Sequence, residues 1–176
     1  MPIRVIINID WNKLGDDVKK QIDSKVEDAF KRASMDAVTW SKLNHGYTQQ
    51  TGALNSSTGF QLYKDGTLLC NYFEQAQGGS DKDGAKAKGI AAGQNAAEKR
   101  ASQLNAHICS VIVAGMPYAI YVESGHTVKK KDGTKVWVTG RDVLAGAYHE
   151  FLKFLETRMQ EAFKNQNVPY QITVDE

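Results

Sequence analysis

Glu123, Ser124 and His126 stand within four positions of one another in the stretch MPYAIYVESGH, residues 116–126. A carboxylate, a hydroxyl and an imidazole are the raw materials of nucleophilic hydrolysis. That chemistry needs a base within hydrogen-bond reach of the nucleophile and a third group orienting the base. Adjacency along the chain supplies neither, and no G-x-S-x-G elbow or HExxH helix accompanies the three. The competing reading is architectural. An apolar segment is stopped by a turn at Gly125, and Glu123 pairs with backbone or with a basic group. The sequence favours the architectural reading and predicts no catalytic residue, with a hydrolase using the Glu123/His126 region as a rival.

Other reactive side chains are scattered. His45, His107, His126 and His149 fall on four separate predicted elements without paired spacing, so no metal site and no cofactor is expected. Cys70 and Cys109 each lie in an apolar, strand-like run and read as reduced core residues. The glycines of GGSDKDGAKAKG have part of a phosphate-loop spacing, but Gly84 is followed by Ala85-Lys86 and no apolar strand precedes the loop. A solvated loop is the expectation there.

One charged feature stands out. Residues 127–141 hold Lys129, Lys130, Lys131, Lys135 and Arg141 against Asp132 alone, with Trp137 among them. Basic residues beside an aromatic can form a nucleic-acid surface, and they can equally face an acidic partner or be a solvated hairpin tip. A nucleic-acid-binding module built on this hairpin is therefore a second rival.

These residues must be positioned by elements that the pattern also predicts. IRVIINID reads as a first strand. A long helix follows, with Asp16 and Asp17 at its start and an apolar face of Val18, Ile22, Val26, Ala29, Phe30, Ala33, Ala37 and Trp40. Asn44-His45-Gly46 ends it. At about 40 Å it is long enough to overhang the core or to meet a neighbour. Residues 46–57 look polar and turn-like, anchored only by Tyr47, Ala53 and Leu54. TGFQLYKDGTLLCNYF reads as a hairpin bent at Asp65-Gly66, ICSVIVAG as a strand, and HTVKKKDGTKVWVTG as a second hairpin bent at Asp132-Gly133. Thr139-Gly-Arg-Asp142 resembles a capping box. The helix after it carries Leu144, Ala147, Tyr148, Phe151, Leu155, Met159 and Ala162 on one face. NQNVP at 165–169 stops that helix, and YQITVDE offers a last strand.

Between the hairpin and the apolar strand lies a compositional shift. Residues 74–107 hold five glycines and nine alanines with almost no large apolar side chain. Such a stretch cannot build a core of its own. It reads as an inserted Ala/Gly/Lys-rich arm, helical from about 90 to 106, that gains order by docking on a neighbouring subunit. The sum is a single α+β domain over 1–176. An antiparallel or mixed sheet packs against a long N-terminal helix and a C-terminal helix.

Composition bounds the rest. At 176 residues the chain can bury a real core. A net charge of +2 is too mild to announce a nucleic-acid binder by itself. No run approaches the ~20 apolar residues of a membrane span, and MPIRVIINID lacks the features of a signal peptide. The expectation is a cytosolic product without membrane attachment.

Two stretches together carry a family resemblance. TQQTGALNSSTGF resembles the Thr-Gly-x-Leu-x-x-Ser signature found after the first long helix in neck, head–tail joining and tail-completion proteins of long-tailed bacteriophages. MPYAIYVESGHT is similar to that family's Tyr-Ala-x-x-Val/Leu-Glu-x-Gly-Thr signature. The matching residues are Thr51, Gly52, Leu54, Ser57, Tyr118, Ala119, Glu123 and Gly125. His126 stands where the family often has Thr, and the arm is longer than the family pattern. The resemblance implies a non-enzymatic virion protein, made in the bacterial cytoplasm, that forms a ring, a hexamer by that resemblance, at the head–tail junction or tail end. Its partners would be itself, neighbouring connector or tail proteins, and DNA passing through the channel. In that setting Tyr118 and Tyr121 are core or interface anchors and Glu123 is structural, while Lys129, Lys130, Lys131, Lys135 and Trp137 face DNA or a partner.

Overall fold

The computed structural model describes residues 4–9, 15–47, 49–104, 106–141, 143–164 and 170–175. It is an α+β fold whose strands pair antiparallel throughout. The chain runs β1 (Arg4–Ile9), α1 (Asp16–Leu43), the short α2 (Ala53–Ser56), β2 (Thr58–Lys64), β3 (Thr67–Tyr72), α3 (Ala85–Ala101), β4 (Ile108–Ala114), α4 (Ala119–Ser124), β5 (Gly125–Lys129), β6 (Lys135–Thr139), α5 (Val143–Phe163) and β7 (Tyr170–Asp175). Instead of the single sheet expected, the described residues form three: β1–β7, β3–β2–β4 and β5–β6.

The core lies between the three-stranded sheet and the pair α1 and α5. Ile22, Val26, Ala29, Phe30, Ala33, Ala37 and Val38 of α1 meet Phe151, Leu155, Met159 and Phe163 of α5, with Phe60 and Leu62 of β2 beneath them. The predicted apolar face of α1 is buried from Ile22 to Ala37, but Val18 is exposed. Much of α1 is covered within the chain. Lys25 Nζ donates to the Ala162 carbonyl at 2.9 Å, Arg158 pairs with Asp36 at 3.1 Å, and the Trp40 ring lies over Gly146. Those contacts run α5 antiparallel along most of α1. Fully buried Ser34 donates to the Phe30 carbonyl at 2.7 Å and shares a 2.6 Å bond with Ser110 of β4, so the helix is fixed to the sheet by polar contacts too.

The Ala/Gly-rich segment corrects the sequence reading most clearly. Its helix begins at Ala85 and docks on its own chain, against α2, β2 and β4. Gly89, Gly93 and Ala97 are its buried residues. A Cβ at Gly93 would run into the Ser57 carbonyl and the Phe73 ring, and one at Gly89 into the backbone of Ala53. Small residues let the helix lie against backbone, where a larger side chain would hold it off. It forms a third layer that buries the other face of β2, where Gln61 is buried as Phe60 and Leu62 are on the first face. Two further expectations, the capping aspartate Asp142 and the stop at 165–169, lie outside the described residues.

Candidate functional site

The two signature stretches, some sixty residues apart in sequence, meet at Ser57. Its hydroxyl donates to the Leu54 carbonyl at 2.8 Å and accepts the Met116 amide at 3.3 Å, and its carbonyl accepts the Gly115 amide at 3.2 Å. Thr51 Oγ1 receives the Ala53 amide at 3.4 Å, and Gly52, at φ +74°, starts the single turn of α2. Residues 52–62 are buried without a break, so the second half of the segment read as a lightly anchored turn is well covered, while Gly46 and Gln50 are exposed. Tyr47, Thr51, Gly52, Leu54, Asn55 and Tyr118 line a pocket of about 200 Å³ beside this junction. That is below the roughly 300–1,000 Å³ of ordinary small-molecule sites. Burial pushes the Tyr47 phenol up to about 12, with nearby Tyr118 adding to it and Asn55 opposing. Burial likewise raises Tyr118, against a bond from the Leu54 backbone.

Glu123 has a definite task. Its carboxylate accepts the Leu144 amide at 2.9 and 3.0 Å and the Ala145 amide at 2.8 Å. Those amides open α5, where unpaired N–H groups and the helix dipole both favour an anion. The carboxylate therefore caps a helix 21 residues further on. Arg141 N–H donates to the Val122 carbonyl at 2.9 Å and ties down the same joint. Gly125 turns the chain there at φ +82°, and a Cβ at that position would meet the Val138 carbonyl at 2.5 Å. Ser124 Oγ donates to the Ile120 carbonyl at 3.0 Å, and His126 Nδ1 to the Tyr121 carbonyl at 3.3 Å. Among the described residues no hydrogen bond links Glu123, Ser124 and His126 to one another. Tyr118 and Tyr121, expected as core or interface anchors, are 40% and 56% exposed, so neither is a core residue. No residue of α4 is buried.

The second hairpin projects. Every residue from Thr127 to Thr139 is exposed. Register pairs Thr127 with Trp137 and Lys129 with Lys135, which places these four on one face of the ribbon. Val128 opposite Val136, and His126 opposite Val138, make the other. Lys130 N–H donates to the Thr134 carbonyl at 2.8 Å and Gly133 N–H to the Lys130 carbonyl at 3.0 Å, closing the tip. The Thr134 amide bonds Asp132 at 2.9 Å and holds that carboxyl below its usual range. The lysines of the hairpin enter no ion pair among the described residues.

Sequence reading missed one polar cluster. His107 holds a carboxylate oxygen at 2.8 Å from each ring nitrogen, Asp65 at Nδ1 and Asp23 at Nε2. A neutral imidazole has one N–H, so both contacts together call for the imidazolium. The bonds to Asp65 and Asp23 raise the His107 pKa accordingly. Lys64 pairs with Asp23 and also reaches Glu27 at 3.6 Å. Burial pushes Asp23 up, but its bonds from Lys64 and His107 win and hold it low. The cluster joins α1 to the β2–β3 turn and the start of β4, and only the Asp65-Gly66 bend hinted at it. Among the described residues no group of three or more His, Cys, Asp or Glu side chains is placed to hold a metal ion. Nor is any described helix long and apolar enough to cross a membrane. Cys70 and Cys109 are thiols, and both are half-buried.

No protein-family model matches the chain, and no curated protein or solved structure is significantly similar to it.

Proposed function

We propose that the chain is a structural subunit of a tailed-bacteriophage virion, closing into a ring at the head–tail junction or the tail end and joining its neighbours there. The observation that carries this reading is where the exposed apolar surface lies. The core is closed by α1, α5, α3 and the sheet, and apart from Val18, Leu43, Leu68 and Leu69 the exposed large apolar side chains gather at α4 and the second hairpin, with Ile120 64%, Tyr121 56%, Val128 39%, Val136 37% and Val138 41% exposed. A two-stranded ribbon is marginal by itself in water, and a contiguous apolar surface on a projecting element marks a site of protein contact. Head-to-tail contacts of that kind give rings when the rotation closes. The meeting of the two signature stretches at Ser57, and the capping by Glu123, give the resembling residues a structural job: they fix the angle at which the hairpin leaves the body. Six subunits, and connector or tail proteins as neighbours, are what the resemblance adds.

The valine face provides the test. Val136→Asp with Val138→Asp should leave the thermal midpoint of the isolated chain nearly unchanged while abolishing self-association, read by light scattering and by electron microscopy of particles assembled with the variant. Intact, infectious particles carrying the double variant, or particles in which the chain contacts no copy of itself, would defeat the proposal.

A further inference from the structure

We infer that the opposite face of the same ribbon, with Lys129, Lys135 and Trp137, is a contact surface for nucleic acid, the lysines meeting backbone phosphates and Trp137 stacking on a base. The register sets Lys129 directly across from Lys135. Like charges in that position weaken a strand pair, and no carboxylate among the described residues pairs with either lysine. Asp132, the acid of the tip, is engaged by the Thr134 amide. Lys130 and Lys131 extend the positive charge to the tip, so this face carries exposed cations with no ion-pair partner among the described residues. Two features favour phosphate over an acidic protein surface. Trp137 lies on the lysine face and is 61% exposed, the most exposed of the large apolar side chains of the ribbon. An indole beside a pair of ammonium groups is an arrangement on which unpaired bases stack while lysines follow the backbone. Thr127, across from Trp137, adds a hydroxyl donor on the same face. Lysine point charges carry no base preference, so the contact is independent of sequence. It is also a property of one chain, and it does not require the ring.

The test uses the full chain, with fluorescence anisotropy of a labelled single strand and of the matching duplex at about 50 and about 200 mM salt. Wild-type protein should bind the single strand with an affinity that falls as salt rises. Lys129→Gln with Lys135→Gln should weaken binding about tenfold at the lower salt and flatten the log–log salt slope by roughly 1.4, about 0.7 for each phosphate no longer neutralised on a single strand. Lys31→Gln, an exposed lysine of α1, should change neither. Trp137→Ala should cost about fivefold or more on the single strand and less than twofold on the duplex, and Trp137→Phe should restore most of the loss. All these positions are exposed, and unchanged circular dichroism melts would confirm that the variants fold. The inference is overturned by the absence of salt-sensitive binding or by a lysine double variant that binds like wild type. It is equally overturned by a Trp137→Ala variant that keeps single-strand affinity, or by polyglutamate competing as well as polynucleotide at equal charge.

Discussion

Two hairpins in this chain bend at the same dipeptide and have opposite fates. At the β2–β3 bend both Asp65 and Gly66 take positive φ, 47° and 76°, the mirror-image turn that suits a two-residue connection. At the β5–β6 tip only Gly133 does, at φ 88°, and two backbone bonds between Lys130 and residues 133–134 close a longer loop. The strands differ more. Strand β2 is covered on both faces, whereas β6 is exposed throughout. Lys64, at the end of β2, is paired with Asp23 and Glu27 of α1, while Lys129 and Lys135 face each other with no acid paired to either among the described residues. An Asp-Gly bend thus decides that the chain reverses, but not what the reversed strands are for. The charges beside each bend differ in use: the first are paired within the chain, and the second enter no ion pair among the described residues.

The contrast predicts a large difference in stability. Phe60, on β2, has no exposed surface and Trp137, on β6, is 61% exposed. Phe60→Ala should cost about 3–5 kcal/mol, enough to unfold much of the population of a domain this size. Trp137→Ala should stay within about 0.5 kcal/mol. Urea unfolding of both variants makes the comparison. Similar losses would mean that the second hairpin belongs to the cooperative core and does not project.

A middle-sized effect belongs to the joint that holds the second hairpin. Glu123→Ala removes the cap from the Leu144 and Ala145 amides, which should cost about 1–2 kcal/mol. Glu123→Gln keeps a carbonyl acceptor but loses the charge, and should fall roughly halfway. If Glu123→Ala unfolds at the same urea concentration as wild type, the carboxylate does not anchor this joint.

What the sequence made legible follows a physical line. The apolar period of α1 from Ile22 to Ala37 and the two Asp-Gly bends are local signals, and they appear where expected. The role of α3 was hidden because Gly89 and Gly93 pack by having no side chain, which a search for apolar stripes cannot register. The run Tyr118–Val122 is apolar enough to be core, but Tyr118, Ile120 and Tyr121 are exposed and no residue of α4 is buried, which removes the core half of the expectation. Pairing of β1 with β7 joins the two ends of the chain, and no local pattern carries that information. For the site, the lysine cluster could be read directly, while the sequence leaves Glu123 open between backbone and a basic group, and its partners are backbone amides. The amides that Glu123 caps could not be read, since they lie 21 residues on, and the Asp23–His107–Asp65 bridge spans 84 residues from end to end.

That bridge gives the smallest effect, and it should separate the hairpins by pH. His107 ties the first bend to α1 through Asp65 and Asp23, with Lys64 and Glu27 at the same corner, while the tip of the second hairpin offers only lysines and Asp132. Because the folded pKa of His107 is raised above 6.5, its contribution is fully present below about pH 6.5 and is lost as pH rises through the folded value. Asp23 acts at the other end. Its folded pKa is lowered below 3.8, so its contribution is present above that value and is lost as pH falls through the folded one. The corner is therefore tightest between about pH 4 and 6.5. The His107 side chain is about half exposed (49%), so solvent screening keeps the contribution under about 1 kcal/mol, or a few degrees of thermal midpoint for a chain of this length. Wild-type protein should melt a few degrees lower at pH 8.5 than at pH 6, and His107→Gln should remove most of that difference. A wild-type midpoint that does not move, or an alkaline decline that persists in His107→Gln, would show that the first hairpin is held without this proton.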